Sequence, residues 1–109
     1  MKILVAGIGA IGSNLTADLV ADLKGKHEIT VLDMDNVEER NVTAGTQFYT
    51  PDQVGMSKVE ALQFNIYKQF QREIYIFHGD IKDIFKPIPG GYVVTLADFE
   101  LVIDRKSVV

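Results

Sequence analysis

Close to its N-terminus the chain carries Gly7-Ile-Gly9-Ala-Ile-Gly12, set between an apolar run, Lys2–Ala6, and a helix-compatible stretch, Ala10–Leu23. No other feature constrains the fold as strongly. A short continuous apolar run suits a parallel strand buried on both faces. The glycines then turn the chain directly into a helix, as in the first unit of an open α/β sheet. Unpaired N–H groups and the positive end of the helix dipole converge at such a turn, and small residues let an anion approach the backbone. Asp33, which closes the next apolar run Glu28–Asp33, stands where a carboxylate can accept hydrogen bonds from a ribose. The pattern points to a nucleotide site. Glycines used only for close helix–strand packing are the structural alternative.

The rest of the chain continues the alternation. Ile11, Leu15, Leu19 and Leu23 fall on one stripe of the first helix, with Gly25 as its stop signal. Asn36–Thr50 lacks sustained periodicity and reads as a loop with a short helical turn. Pro51-Asp52 opens a turn and Ser57 is a good N-cap. Val59, Leu62, Ile66 and Phe70 then mark the buried face of a second long helix. Glu73–Phe77 reads as a third strand, Asp80–Phe85 as one helical turn, Pro87–Gly91 as a rigid turn and Tyr92–Leu96 as a fourth strand. The type of the final segment, Phe99–Val109, stays open. Together these predict one Rossmann-like α/β domain over residues 1–109, a parallel sheet of about four strands with flanking helices. Ligands of such sheets lie beyond the carboxyl ends of the strands, so the glycine loop, Asp33, Gly79 and Asp98 are expected at one edge.

Composition narrows the partners. The 109 residues carry a net charge of −4 with no basic block, so no nucleic-acid footprint is expected. Lys24, Lys26 and His27 read as a solvated helix end. Cysteine is absent, which removes disulfides, thiolate nucleophiles and Cys-based zinc sites. The run Ile3–Ile11 is too short and glycine-rich for a membrane span, and no cleavable signal pattern precedes it. The expectation is a soluble cytoplasmic protein. His78, beside Gly79 and Asp80, has no metal-ligand spacing around it and reads as structural.

Two further stretches carry chemistry. In Asp33-Met-Asp35-Asn-Val37-Glu38-Glu-Arg40-Asn41, Asp35 is expected to tie down the loop. Asn41 offers a donor and an acceptor to a base, ribose or phosphate, or else makes an Asx-turn or local cap. Lys58 near a helix start is electrostatically odd, because that end already carries partial positive charge. A cation there makes sense beside a bound anion.

The Gly7–Gly12 loop with Ser13, then Asp33-x-Asp35-x-Val37-Glu38-x-x-Asn41, Gln47, Val54-Gly55-x-x-Lys58-Val-Glu60 and Val93-Val94-x-x-x-Asp98 form an ordered string. It resembles the ThiF/MoeB/E1-like family, the adenylating enzymes that activate the C-terminus of ubiquitin-like proteins. The likeness covers essentially the whole chain, and the Asp-x-Asp-x-Val-Glu-x-x-Asn block is its most specific part. The resemblance implies a site for ATP and Mg²⁺ made of Gly7, Gly9, Ala10, Gly12, Asp33, Asp35, Asn41, Lys58 and Asp98. In it Ala10 and Gly12 face phosphate, Asp33 takes the ribose, Asn41 and Lys58 take the phosphates, and Asp98 holds Mg²⁺. Lys58 and Asp98 become the catalytic pair, the substrate is the C-terminal carboxylate of a ubiquitin-like or sulfur-carrier protein, and the implied assembly is a homodimer.

The chain also departs from the family. Members commonly read Asn-x-x-Arg-Gln, whereas here Asn41-Val-Thr-Ala-Gly-Thr46-Gln47 is two residues longer and puts Thr46 at the arginine's place. Arg40 lies just before Asn41. The chain opens at the first strand, without the upstream helix of relatives, and full family domains run to about twice this length. A fragment or a minimal relative is therefore expected, in which nucleotide binding survives better than adenylation. Two other readings stand beside it. One is an NAD-binding domain of a small oxidoreductase, where Asp33 would favour NAD over NADP. The other is a catalytically inactive nucleotide-binding or interaction module.

Overall fold

The glycine loop is entered from strand β1 (Lys2–Ala6) and left through helix α1 (Ala10–Leu23), as the sequence predicts. Strand β2 (Glu28–Asp33), short helix α2 (Glu39–Thr43), a 3-10 turn (Pro51–Gln53), helix α3 (Lys58–Phe70) and strand β3 (Tyr75–His78) come next. Strands β4 (Phe85–Ile88), β5 (Gly91–Val94) and β6 (Phe99–Ile103) complete the order. The computed structural model describes residues 2–23, 28–43, 47–80, 85–88, 91–94 and 99–103, with side chains described as far as Asp80. Lys24, Lys26, His27, Thr46 and Asp98 lie outside the described residues.

Strands β3, β2, β1 and β6 form a parallel sheet in that order, with Val5 of β1 opposite Val31 of β2 and Val102 of β6. The fourth parallel strand is therefore β6, drawn from the segment whose type the sequence leaves open. Tyr92–Leu96, expected in that place, instead contributes β5 to an antiparallel pair with β4. Both are short apolar runs, and periodicity cannot tell which of two such runs docks against β1. Phe85, expected to end a helical turn, opens β4, and Pro87 pairs with Tyr92 where a rigid turn is expected. The reason is local: Lys86 and Ile88 each precede a proline, which disfavours helix and favours extended backbone. Residues 81–84 and 89–90 are outside the described set.

Helix α3 matches expectation. Ser57 caps it by accepting from Glu60 N–H at 3.3 Å, and Val59, Leu62 and Ile66 are fully buried, with Phe70 partly buried against them. Helix α1 does not. Its buried residues are Gly12, Ser13, Thr16, Ala17 and Val20, while the leucine stripe runs along the margin and Ile11 is 61% exposed. Small side chains on the buried face let the helix lie close to its neighbours. Apolar periodicity cannot report a face made of Gly, Ser, Thr and Ala. The core joins this face to Val5 and Val31 of the sheet and to the buried stripe of α3.

Candidate functional site

At the carboxyl ends of β1 and β2 the backbone turns at Gly7, whose φ of +88° suits a residue without Cβ. Gly7 N–H donates to the Leu32 carbonyl at 2.7 Å, which pins the loop to β2. Asp33, only 4% exposed, organises this edge. One carboxylate oxygen accepts from Ile8 N–H at 3.0 Å, the other from Asp35 N–H at 2.8 Å. Its carbonyl accepts from Gly79 N–H at 3.2 Å. The glycine loop, Asp33 and Gly79 thus meet at one edge, as predicted. The carboxylate also braces the loop, a role beyond the ribose contact expected of it, and each oxygen keeps a further lone pair for a ligand.

The other side of the loop is held by α1 and the segment Gln47–Tyr49. Ser13 Oγ donates to the Gly9 carbonyl at 2.5 Å and accepts from Phe48 N–H at 3.1 Å. The Tyr49 hydroxyl donates to the Ile8 carbonyl at 2.6 Å. Among the described residues, the N–H groups of Gly9 and Ala10 take no hydrogen-bond partner. They are the donors available to an anion.

Lys58 reaches this edge by a backbone route. Gly55, with φ +97°, lets residues 54–57 run antiparallel to the loop after Asp33. Val37 N–H donates to the Met56 carbonyl and Gly55 N–H to the Val37 carbonyl, both at 2.8 Å, and Lys58 N–H donates to the Asp35 carbonyl at 2.9 Å. The loop is therefore tied down by the backbone of Asp35, whose exposed side chain has no part in it, contrary to expectation. Lys58 is only 7% exposed, and its ammonium makes no ion pair or hydrogen bond among the described residues. A cation with no counter-charge beside it can pair with a bound anion.

Asn41 takes the local option left open by the sequence. Its Oδ1 accepts from Glu38 N–H at 2.7 Å while its own N–H donates to the Glu38 carbonyl at 2.9 Å. Its side-chain amide remains a donor. Arg40 pairs with Glu38 at 2.8 Å on the exposed surface. The His78 ring sits 3.2 Å from the Met34 carbonyl through Nε2, a local contact consistent with a structural role.

Three participants escape sequence reasoning. One is Tyr49, since nothing in the pair Phe48-Tyr49 says where its hydroxyl goes. The others, Gln53 and Asn65, exchange amide hydrogen bonds at 2.6 and 2.8 Å. Asn65 also donates to the Phe48 carbonyl at 3.0 Å, which fixes the Gln47–Tyr49 segment against α3. Oε1 of Gln47 is buried with no partner among the described residues, an acceptor that a ligand's donor would satisfy.

A parallel sheet, a glycine turn into a helix and a buried carboxylate on the next strand define a partial Rossmann-like domain. The chain belongs to the ThiF family, which it matches over residues 1–82. It is similar to ubiquitin-like modifier-activating enzyme 5 of Culex quinquefasciatus, 42% identical over 60 residues, covering 55% of this chain and 14% of the relative. It is also similar to SUMO-activating enzyme subunit 2 of Dictyostelium discoideum, 35% identical over 83 residues, covering 74% of this chain and 12% of that protein. The chain thus spans a small part of these relatives. Of solved structures, E. coli MccB with ATP superposes with a TM-score of 0.62 at 28% identity, over 76% of this chain and 24% of MccB. E. coli TcdA, a tRNA N6-threonylcarbamoyladenosine dehydratase, superposes at 0.56 and 29% identity, over 71% of this chain and 31% of TcdA.

Proposed function

We propose that the chain binds Mg-ATP at the carboxyl edge of β1 and β2, and that this serves adenylation of a C-terminal carboxylate on a ubiquitin-like protein, sulfur-carrier protein or peptide. The observation that carries the reading is Lys58, whose ammonium has no counter-charge or hydrogen-bond partner among the described residues and whose backbone is bonded to the loop that comes after Asp33. The Gly9 and Ala10 N–H groups at a helix N-terminus, without a partner among the described residues, supply the complementary donors. In this reading Asp33 takes the ribose, Asn41 offers its amide to phosphate, and Asp98 holds Mg²⁺, whose charge would help neutralise the phosphates.

The residues suit such a reaction because its difficulty is electrostatic. An acceptor carboxylate oxygen forms a bond to the α-phosphorus, the bond from that phosphorus to the bridging oxygen breaks, and pyrophosphate leaves. Both reactants are anions, and the nucleophile is already ionised at neutral pH, so no general base is required. Positioning and charge neutralisation are what the protein must supply. The curated relatives are named as activating enzymes of ubiquitin-like modifiers, and MccB has been solved with ATP, which supports this reading over the NAD alternative.

Calorimetric titration with Mg-ATP and, separately, NADH tests it. Mg-ATP is expected to bind and NADH not to. Lys58→Ala is expected to weaken Mg-ATP about 10- to 100-fold, the worth of a charge-assisted contact. Preferential NADH binding that ignores Lys58 would overturn the reading. Pyrophosphate release with acceptor peptides then separates adenylation from binding alone.

A further inference from the structure

Three successive peptide units of the glycine loop are each fixed by one partner. The Gly7–Ile8 unit is held through Ile8 N–H on Asp33, the Ile8–Gly9 unit through its carbonyl on the Tyr49 hydroxyl, and the Gly9–Ala10 unit through its carbonyl on Ser13. In a planar trans peptide the N–H points opposite to the C=O. Drawing the Ile8 carbonyl toward Tyr49 therefore aims the Gly9 N–H the other way, where it takes no partner among the described residues. Ser13 does the same for Ala10.

We propose that Tyr49 is a positioning residue for phosphate recognition: its hydroxyl sets the Ile8–Gly9 peptide so that the Gly9 N–H is presented to a nucleotide phosphate. The inference rests on the ATP reading above. Tyr49 is 7% exposed and belongs to the core, so its ring has a packing role that phenylalanine would fill equally. The hydroxyl is different. A buried phenol needs a hydrogen-bond partner, and here that partner is a loop carbonyl 41 residues away in sequence. The segment that carries Tyr49 is itself fixed, by Phe48 N–H on Ser13 Oγ and by Asn65 on the Phe48 carbonyl. The hydroxyl is thus a rigid strut on a glycine loop that would otherwise have many peptide orientations open to it.

Tyr49→Phe keeps the ring and removes the strut. Titrated with Mg-ATP, Mg-ADP and adenosine, the variant is expected to lose about three- to tenfold in affinity for the two phosphate-bearing ligands and none for adenosine, since one neutral hydrogen bond is at stake. Amide exchange at Ile8 is expected to quicken while the amides of β1 and β2 keep their rates. Equal losses on all three ligands, or no loss on any, would overturn the proposal. Should the parent chain bind neither nucleotide, the ATP reading fails by itself. The Tyr49 contact is then judged by exchange at Ile8 alone, and an unchanged rate overturns it.

Discussion

Asp33 accepts two backbone N–H groups through two oxygens, one from the glycine loop and one from its own succeeding turn. A carboxamide cannot repeat this, because one of its two ends is a donor facing a donor. Asp33→Asn is therefore expected to cost about 1.5–3 kcal/mol of stability, the range for a hydrogen bond to a charged group with a buried partner left unpaired. Urea unfolding of the variant beside its parent measures this, and a cost below about 0.5 kcal/mol, within the range of ordinary surface changes, would mean that the carboxylate does not brace the loop. At this scale part of the candidate site is legible in the sequence. Spacing alone predicts that the glycines and Asp33 meet at one edge, and Lys58 draws notice by its electrostatic oddity at a helix start. Tyr49 and Gln53 give no signal, because what matters is which distant atom a hydroxyl or amide meets.

Helices α1 and α3 show what periodicity can and cannot reveal. In α3 the stripe Val59, Leu62 and Ile66 is both the apolar and the buried face, so pattern and packing coincide. In α1 the buried face is small and partly polar, with Ser13 and Thr16 satisfied by carbonyls one turn back at 2.5 and 2.7 Å. A larger side chain on that buried face must displace its neighbours, whereas the exposed Ile11 should tolerate change. Ala17→Leu is expected to cost about 1–3 kcal/mol by overpacking, and Ile11→Ser to stay within about 0.5 kcal/mol. Thermal unfolding of the pair checks the assignment, and the reverse order would restore the leucine stripe as the core face. The 3-10 turn offers a pH test. The Thr50 hydroxyl donates to the exposed Asp52 carboxylate at 2.6 Å and lowers its pKa, with the backbone of Asp52 and the charge of Lys68 acting the same way. A depressed folded pKa stabilises the fold above the ordinary carboxylate pKa, and that contribution is lost as pH falls through the folded value. In Thr50→Val, NMR titration should find Asp52 taking up its proton at higher pH than in the parent.

Across the whole molecule, the alternation of strands and helices is legible in the sequence, but the assignment of the late strands is not. The sheet's order depends on which apolar run reaches β1, a long-range choice that local pattern does not encode. Among the described residues the same order leaves β3 at an edge, with Tyr75 58% exposed and Phe77 also exposed. Phe64, Tyr67 and Met56 stand nearby, lining with Tyr75 and the carboxylates of Glu60 and Glu73 a shallow groove of about 590 Å³. An edge strand bearing aromatic side chains is a template for pairing with another chain, and a lysine on the edge is a common way of blocking it. The isolated chain is thus expected to associate as its concentration rises, and Tyr75→Lys to reduce that association in light scattering. Tyr75 lies opposite Thr30, at the far end of β3 from the contact between Asp33 and Gly79. Mg-ATP affinity should therefore be the same in the variant as in the parent. Association that persists unchanged would place the sticky surface elsewhere, and a fall in nucleotide affinity would mean that the edge and the site are coupled through β2.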